Sequence, residues 1–162
     1  MTAALPPRDQ RYREDYIPGS IYTFGEIELT EPDIIAFARQ FDPQPALHTE
    51  PMLAQSNAFG GIIASGWHTL GVMMRLYVEH YLSTVANWVS PGVDKVRWLK
   101  PVRPGARLSI RVTILENRLR RSNPNQGAVL AFMEGLDHHG DTIASLEVTS
   151  FIFSRPASRS LS

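Results

Sequence analysis

The segment FDPQPALHTEP, residues 41–51, carries an acid, Asp42, and an imidazole, His48, six positions apart. Histidine changes charge near neutral pH, and a carboxylate beside it can share its proton, so the two residue types suit general acid–base chemistry. The three prolines of the segment restrict its backbone. Acids and prolines in loops also serve as helix caps and turn formers, so a purely structural role is the alternative.

A helix is predicted directly before Asp42, in TEPDIIAFARQF. Thr30 is the expected N-cap, Pro32 falls in the first turn, and Asp33 stands three residues after the cap. Apolar residues follow at helical spacing: Ile34, Phe37, Ala38 and Phe41. Because a residue that precedes proline is biased away from helical angles, Asp42 is expected where the helix gives way to a loop.

A longer helix is predicted from about Ser65 to Leu82, which gives a length of roughly 27 Å at the usual rise per residue. Arg75 and Glu79 have the spacing of a surface ion pair, and the helix is expected to be covered on several sides because most of its circumference is apolar: Trp67, Leu70, Met73, Met74, Tyr77, Val78 and Tyr81. The charged residues would be costly in hydrocarbon, so this run is not expected to span a membrane, and no membrane partner is predicted.

Five segments are predicted to form antiparallel strands. Apolar and polar residues alternate at 108–115 and 145–153, which is typical of half-buried strands, and further strands are predicted at 20–29, 93–100 and 127–137. A curled sheet around the long helix would bury one face of every strand, so the sequence predicts an α+β fold. Pairing of an uncovered sheet edge across a two-fold axis predicts a homodimer or a higher homo-oligomer.

The length of 162 residues indicates one domain. We predict this domain over residues 16–154, a loosely held arm over residues 1–15, and a similar tail over residues 155–162.

Charge and cysteine content narrow the classes of function. Sixteen basic residues balance sixteen acidic ones, so no nucleic-acid partner is predicted, and the Arg-rich segment at 118–127 is interpreted as a solvated hairpin end. The lack of cysteine excludes disulfides, thiolate catalysis and cysteine-bound zinc. The DHHGD turn at 137–141 is interpreted as exposed, because tight turns rarely supply the converging geometry of a metal site. No metal or cofactor is predicted, and the absence of a leader segment makes the cytoplasm the expected location.

The stretch FDPQPALHTE, followed by AFGGIIASGWHT, resembles the MaoC-like family of hotdog-fold enoyl-CoA hydratases and dehydratases. VDKVRWLKPVRPG is similar to the family's segment after its central helix, and the likeness covers most of residues 20–153. The resemblance implies that Asp42 and His48 orient and deprotonate a water for addition to the β-carbon of a trans-2-enoyl thioester. It also implies the (R)-3-hydroxy product, with coenzyme A present only as part of the substrate.

The resemblance also implies where the substrate lies. Its thioester oxygen would accept hydrogen bonds from backbone N–H groups at the start of the long helix, with Gly66 as the main donor and Ile63 as a neighbour. The residues expected to contact or admit the substrate are Gln44, Gly60, Gly61, Ser65 and Trp67.

The chain departs from the family's pattern at three places. It has one residue more between Pro45 and His48, Gln44 stands where asparagine is commoner, and Ser65 replaces a frequent histidine. Two other functions stay open, one because the same fold serves it and one because of the extra loop residue. One is a hotdog thioesterase, in which an acid activates water against the thioester carbonyl, and the other is a catalytically silent subunit that binds acyl thioesters.

Other polar residues have structural interpretations. His68 is expected to be a core or interface histidine that makes a hydrogen bond. A group of four cations either meets the phosphates of coenzyme A or lies at a solvated strand end: Arg97, Lys100, Arg103 and Arg107.

Overall fold

The computed structural model describes residues 4–158. Within them, five strands form one antiparallel sheet in the order β1-β3-β4-β5-β2. The strands are β1 Ile21–Leu29, β2 Asn87–Trp98, β3 Ala106–Leu119, β4 Gln126–Leu136 and β5 Thr142–Phe153. The α-helices are α1 Glu31–Phe41, α2 Pro51–Ala54 and α3 Gly66–Leu76. The outermost parts of the predicted arm and tail, residues 1–3 and 159–162, lie outside the described residues.

The concave face of the sheet packs on the central helix α3. Alternate residues of β3 point to this face and are fully buried: Leu108, Ile110, Val112 and Ile114. Met73 and Leu76 of α3 are buried in one cluster with Ile110, Val112 and Ile114. The predicted α+β arrangement is confirmed, and β1 forms one edge of the sheet as expected.

The central helix differs from its prediction in two respects. The α-helical part ends at Leu76, and a π-helical turn, Tyr77–Tyr81, completes it. The predicted pair forms, with Arg75 Nε 2.8 Å from Glu79 Oε1. The expectation that the helix is covered on several sides holds only in part. The sheet covers one side and Phe37 of α1 stacks on His68, but an apolar stripe stays exposed along the helix: Trp67, Met74 and Val78. Among residues 4–158, no helix has both the length and the hydropathy needed to cross a bilayer.

Helix α1 begins as its sequence predicts. The Thr30 side chain accepts a hydrogen bond from the Asp33 N–H, with 3.3 Å between Oγ1 and N. The helix ends at Phe41, and the N–H of Asp42 donates to the Ala38 carbonyl at 2.8 Å. Asp42 therefore stands at the predicted boundary between helix and loop.

The described part of the N-terminal arm is not loosely held, which corrects the prediction for residues 8–15. Arg11 is only 5% exposed, and its guanidinium donates to the carbonyl oxygens of His80 and Tyr81, at 2.9 and 2.6 Å, and to that of Pro6. A cation is favoured there because carbonyls at a helix C-terminus have no partner within the helix and carry partial negative charge. The domain limits at residues 16 and 154 stay a prediction.

Arg11→Met should destabilise the protein by about 2–3 kcal/mol, because carbonyls in a buried environment lose charge-assisted donors. Urea denaturation measures the free energy of unfolding. Arg155→Met is the control, since Arg155 makes an exposed ion pair with Asp15 whose loss should cost no more than about 1 kcal/mol. Equal losses in the two variants would contradict the role of Arg11.

Candidate functional site

The loop after α1 contains a π-helical turn, Pro45–Thr49, which is called the π-turn from here on. Its defining hydrogen bond runs from the Glu50 N–H to the Pro45 carbonyl at 3.1 Å. A π-turn closes over one residue more than an α-turn, and such turns recur at functional sites. The additional residue between Pro45 and His48 is therefore accommodated inside the turn.

His48 is buried with one fixed orientation. This residue of the turn Pro45–Thr49 is only 4% exposed, and its Nδ1 is 2.7 Å from the carbonyl oxygen of Ile63. A carbonyl oxygen only accepts hydrogen bonds, so Nδ1 carries a proton. The other ring nitrogen, Nε2, lies 3.3 Å from Oδ2 of Asp42. The structure thus brings the two predicted site residues together.

The carboxyl group of Asp42 is held in its ionised form. Partial burial by itself would raise its pKa, but the net effect is a pKa below the ordinary value of 3.8, because hydrogen bonding from Gln44 and Ser65 and the neighbouring His48 favour the carboxylate. The Gln44 amide donates from Nε2 to Asp42 Oδ1 at 2.6 Å. Gln44 therefore supports the acid and does not line the cavity described next.

A cavity of about 390 Å³ opens beside this pair. Its volume is within the range that takes a small ligand. Its wall comes from the end of α1, the π-turn, the loop before α3, the start of α3, and the end of β2 with the segment after it. The lining residues are Asp42, His48, Phe59, Ile63, Ala64, Gly66, Trp67, Thr69, Trp98, Leu99, Lys100, Pro101 and Val102.

The start of α3 forms one wall of this cavity. Gly66 is the first helical residue, and the buried Ser65 caps the helix by accepting a hydrogen bond from the Trp67 N–H at 3.3 Å. The N–H of a first helical residue has no carbonyl partner within the helix and lies at the positive end of its dipole. A Cβ at position 66 would overlap the indole of Trp98, so this close approach requires glycine.

Besides Gln44, four of the predicted site residues are not where they were expected. Ser65 is fully buried as the cap of α3 and does not line the cavity. The N–H of Ile63 donates to the Leu47 carbonyl at 3.0 Å, so it is not free to bind a thioester oxygen, and the carbonyl of Ile63 holds His48 instead. Gly60 and Gly61 do not line the cavity, and a Cβ at either would meet nothing within 4 Å. Gly60 has a φ of +72°, a backbone conformation that favours glycine, so the turn accounts for the residue type at this position.

Some cavity residues were not singled out from the sequence. Phe59 is the clearest example, and Trp98 is the last residue of a strand that was predicted only from its alternating pattern. The available signal was the resemblance of the VDKVRWLKPVRPG segment, which supplies the wall from Trp98 to Val102.

Two of the four cations near this segment already have acidic partners. Lys100 Nζ lies 2.7 Å from Asp141 Oδ2, and Arg107 lies 2.7 Å from Glu26. These pairs fit the interpretation of a solvated strand end for Lys100 and Arg107.

Two histidine predictions concern residues outside the cavity. His68 stacks on Phe37 with ring centroids 4.7 Å apart, but its Nδ1 is buried without a hydrogen bond, so the expected bond at that atom is absent; burial lowers the pKa of His68. In the turn at 137–141, the rings of His138 and His139 contact each other. No group of three or more potential metal ligands occurs within residues 4–158.

Comparison with known proteins defines the family. Residues 16–131 match the MaoC like domain family, and the chain belongs to this family. The crystal structure of the MaoC-like dehydratase from Rhodospirillum rubrum is similar with a TM-score of 0.79 and 29% identity, over 90% of this chain and 99% of that one. The architecture is therefore the hotdog fold, and both the resemblance and the predicted fold are confirmed.

Curated relatives match shorter stretches. The uncharacterized protein YdeM of Bacillus subtilis is 28% identical over 109 residues, which cover 67% of this chain and 77% of YdeM. The 3-hydroxyacyl-thioester dehydratase Z of Mycobacterium tuberculosis is 31% identical over 85 residues, which cover 51% of this chain and 55% of that protein.

Gln44→Ala should raise the pKa of Asp42, because the lost hydrogen bond favours the ionised carboxyl. Carboxyl-carbon NMR over an acid titration measures this pKa, with the exposed Gln40→Ala on α1 as the control. Ionised Asp42 stabilises the fold above its ordinary pKa of 3.8, and this stability is lost as the pH falls through the lowered pKa. Gln44→Ala should therefore cost stability at neutral pH and less in strong acid. An unchanged Asp42 titration would contradict the assignment.

Proposed function

We propose that this protein is a hydratase or dehydratase that adds water reversibly to a trans-2-enoyl thioester, of which coenzyme A is the expected carrier. Asp42 and His48 are the acid–base pair in this proposal. The observation that carries it is the 3.3 Å approach of His48 Nε2 to Asp42 Oδ2 on the wall of a cavity that also contains the start of α3. The relative named as a 3-hydroxyacyl-thioester dehydratase supports the reaction class.

The protonation of the pair favours a water as its third member. With the proton of neutral His48 on Nδ1, both Nε2 and the Asp42 carboxylate can only accept hydrogen bonds. A water that donates one hydrogen to each satisfies both acceptors and directs its oxygen lone pairs away from them, toward a substrate in the cavity. The pair thus orients the nucleophile before any bond changes.

The reaction follows from this orientation. The water oxygen bonds to the β-carbon while Nε2 takes one of its protons, and the π-electrons of the alkene move through the α-carbon to the thioester oxygen. The α-carbon then receives a proton from the same pair, which restores the thioester and completes the addition. The reverse sequence removes water from the 3-hydroxyacyl thioester. A positioned base of this kind contributes on the order of 100- to 10,000-fold.

The developing negative charge needs a donor, and the N–H of Gly66 is our candidate. This N–H has no carbonyl partner within α3 and lies at the positive end of the helix dipole. Ile63 is excluded as a second donor because its N–H already binds Leu47. Trp67 and Trp98, whose rings contact edge to face, flank this position as apolar walls.

We also propose that two copies of the chain associate. The edge strand β2 pairs with β5 on one side, and it exposes several apolar side chains: Trp88, Val89, Val93 and Trp98. The exposed stripe of α3 begins at Trp67, which contacts Trp98, so the two apolar surfaces are continuous. An uncovered edge of this composition invites pairing with an identical edge.

Purified protein should remove the conjugated absorbance of a trans-2-enoyl-CoA from a panel of chain lengths. Asp42→Asn and His48→Ala should each lower kcat by roughly 100-fold or more. The matched controls Asp33→Asn, on α1, and His139→Ala, in an exposed turn, should retain wild-type rates. Full activity in both site variants would contradict the assignment, and release of free thiol without hydration would favour the thioesterase instead.

Light scattering on a sizing column should give the wild-type protein twice the mass of one chain. Val93→Lys should shift it toward a single chain, because a lysine on the edge of a sheet opposes pairing. Leu115→Lys is the control, since Leu115 is 41% exposed and Val93 42%, but Leu115 belongs to the internal strand β3. A wild-type protein with the mass of one chain would contradict this proposal.

A further inference from the structure

The side chain of Asn57 connects two segments that lie next to the proposed acid–base pair. Its Nδ2 donates to the Ala46 carbonyl at 2.8 Å and to the Gly61 carbonyl at 2.9 Å. Its Oδ1 accepts from the Phe59 N–H at 2.7 Å and, at the longer distance of 3.5 Å, from the Gly61 N–H. Both ends of the amide are therefore used.

The Ala46 carbonyl needs this donor for a reason visible in the sequence. In the π-turn, the N–H of Glu50 already binds the Pro45 carbonyl. The next donor along a π-helix would be residue 51, which is Pro51 and has no N–H. Ala46 and Leu47 stand between Pro45 and His48, where this loop is one residue longer than the family's pattern. Asn57 supplies the Ala46 carbonyl with the donor that the backbone cannot.

The segment that begins at Asn57 also binds the next two residues of the turn, Leu47 and His48. The Leu47 carbonyl accepts from the Ile63 N–H, and Nδ1 of His48 donates to the Ile63 carbonyl. Three successive residues of the turn are thus bonded to the segment from Asn57 to Ile63. Because Asn57 also shapes that segment through Phe59 and Gly61, it acts on both sides of the contact that orients His48.

We propose that Asn57 is a positioning residue for His48, which lets the longer loop present Nε2 to Asp42 at the observed distance. This inference rests on the proposed function for its kinetic consequence. Asn57 does not line the cavity and does not touch the reacting atoms, so its loss should affect the chemical step more than substrate binding.

Two variants separate the parts of the amide. Asn57→Ala removes all of its hydrogen bonds. Asn57→Asp keeps an acceptor for the Phe59 N–H but places a carboxylate oxygen, in the position of Nδ2, against the Ala46 carbonyl. If the contact with the Ala46 carbonyl positions the turn, both variants should have a lower kcat and a more reactive His48.

The matched control is Asn117→Ala. Asn117 also uses Nδ2 to bind two carbonyls, those of Arg13 and Tyr16, at 2.8 and 2.7 Å. It lies near the far end of β3, where its neighbours belong to the N-terminal arm and not to the cavity. Asn117→Ala therefore reproduces the loss of a bridging amide without touching the π-turn.

The first measurement is enoyl-CoA hydration. Both Asn57 variants should lower kcat by roughly 10- to 100-fold, because the base is misplaced. KM should stay within about twofold in Asn57→Asp, because this variant keeps the acceptor for the N–H of Phe59, which belongs to the cavity wall. Asn117→Ala should keep the wild-type kcat. The inference is overturned if Asn57→Asp keeps the wild-type kcat, or if the Asn57 variants lose no more than Asn117→Ala.

The second measurement does not depend on activity. Diethyl pyrocarbonate modifies imidazole nitrogens, and mass spectrometry of the His48 peptide gives the rate at this residue. The buried His48 should react several times faster in both Asn57 variants than in wild type or Asn117→Ala. If the wild-type protein hydrates no enoyl thioester, the proposed function fails, and this rate alone decides whether Asn57 holds His48; equal rates in all four proteins overturn the inference.

Discussion

The hydrogen bond from His48 Nδ1 to the Ile63 carbonyl is the constraint on which the candidate site depends. It fixes which ring nitrogen carries a proton and which one faces Asp42. An imidazole free to rotate would present either nitrogen, and the approach of Nε2 to the carboxylate would be one arrangement among several. Burial of His48 strengthens the constraint, because a polar ring removed from water must keep its partner.

The hotdog fold supplies what surrounds this bond. The curled sheet buries one side of α3, and the segment that contains Ile63 leads directly into the first turn of this helix. Helix α1 delivers Asp42 at its C-terminal end, and the π-turn returns the chain so that His48 meets it. Gly66 completes the site because the indole of Trp98 packs where a side chain would otherwise be. Asp42, His48 and the start of α3 therefore come from three different elements of the fold.

Much of this organisation follows from local sequence. The cap at Thr30 and the alternation in β3 and β5 depend on neighbouring residues, so the pattern is sufficient for them. The meeting of Asp42 and His48 was also expected, although only from a resemblance. The role of Ile63 was predicted for the wrong atom, because which backbone group is free depends on a long-range bond to Leu47.

Other features depend on contacts that the sequence does not encode locally. The N-terminal arm was predicted to be loosely held because it is polar. Arg11 nevertheless donates hydrogen bonds to carbonyls at the end of the central helix, about seventy positions away. The turn Pro45–Thr49 contains the residue by which this loop exceeds the family's pattern, and Pro51 cannot supply the backbone N–H that the Ala46 carbonyl would otherwise bind. The exposed stripe on α3 was not predicted, because helical periodicity marks apolar faces without showing which of them packs on the sheet.

The most direct test of this account is the protonation of the His48 ring in the wild-type protein. Long-range proton–nitrogen NMR at a pH where the ring is neutral, with the signals assigned by their loss in His48→Ala, distinguishes the two ring nitrogens. The account predicts a proton on Nδ1 and a free lone pair on Nε2. A neutral ring with its proton on Nε2, or a mixture of both forms, would contradict it, because the nitrogen facing Asp42 could then not accept a proton from water.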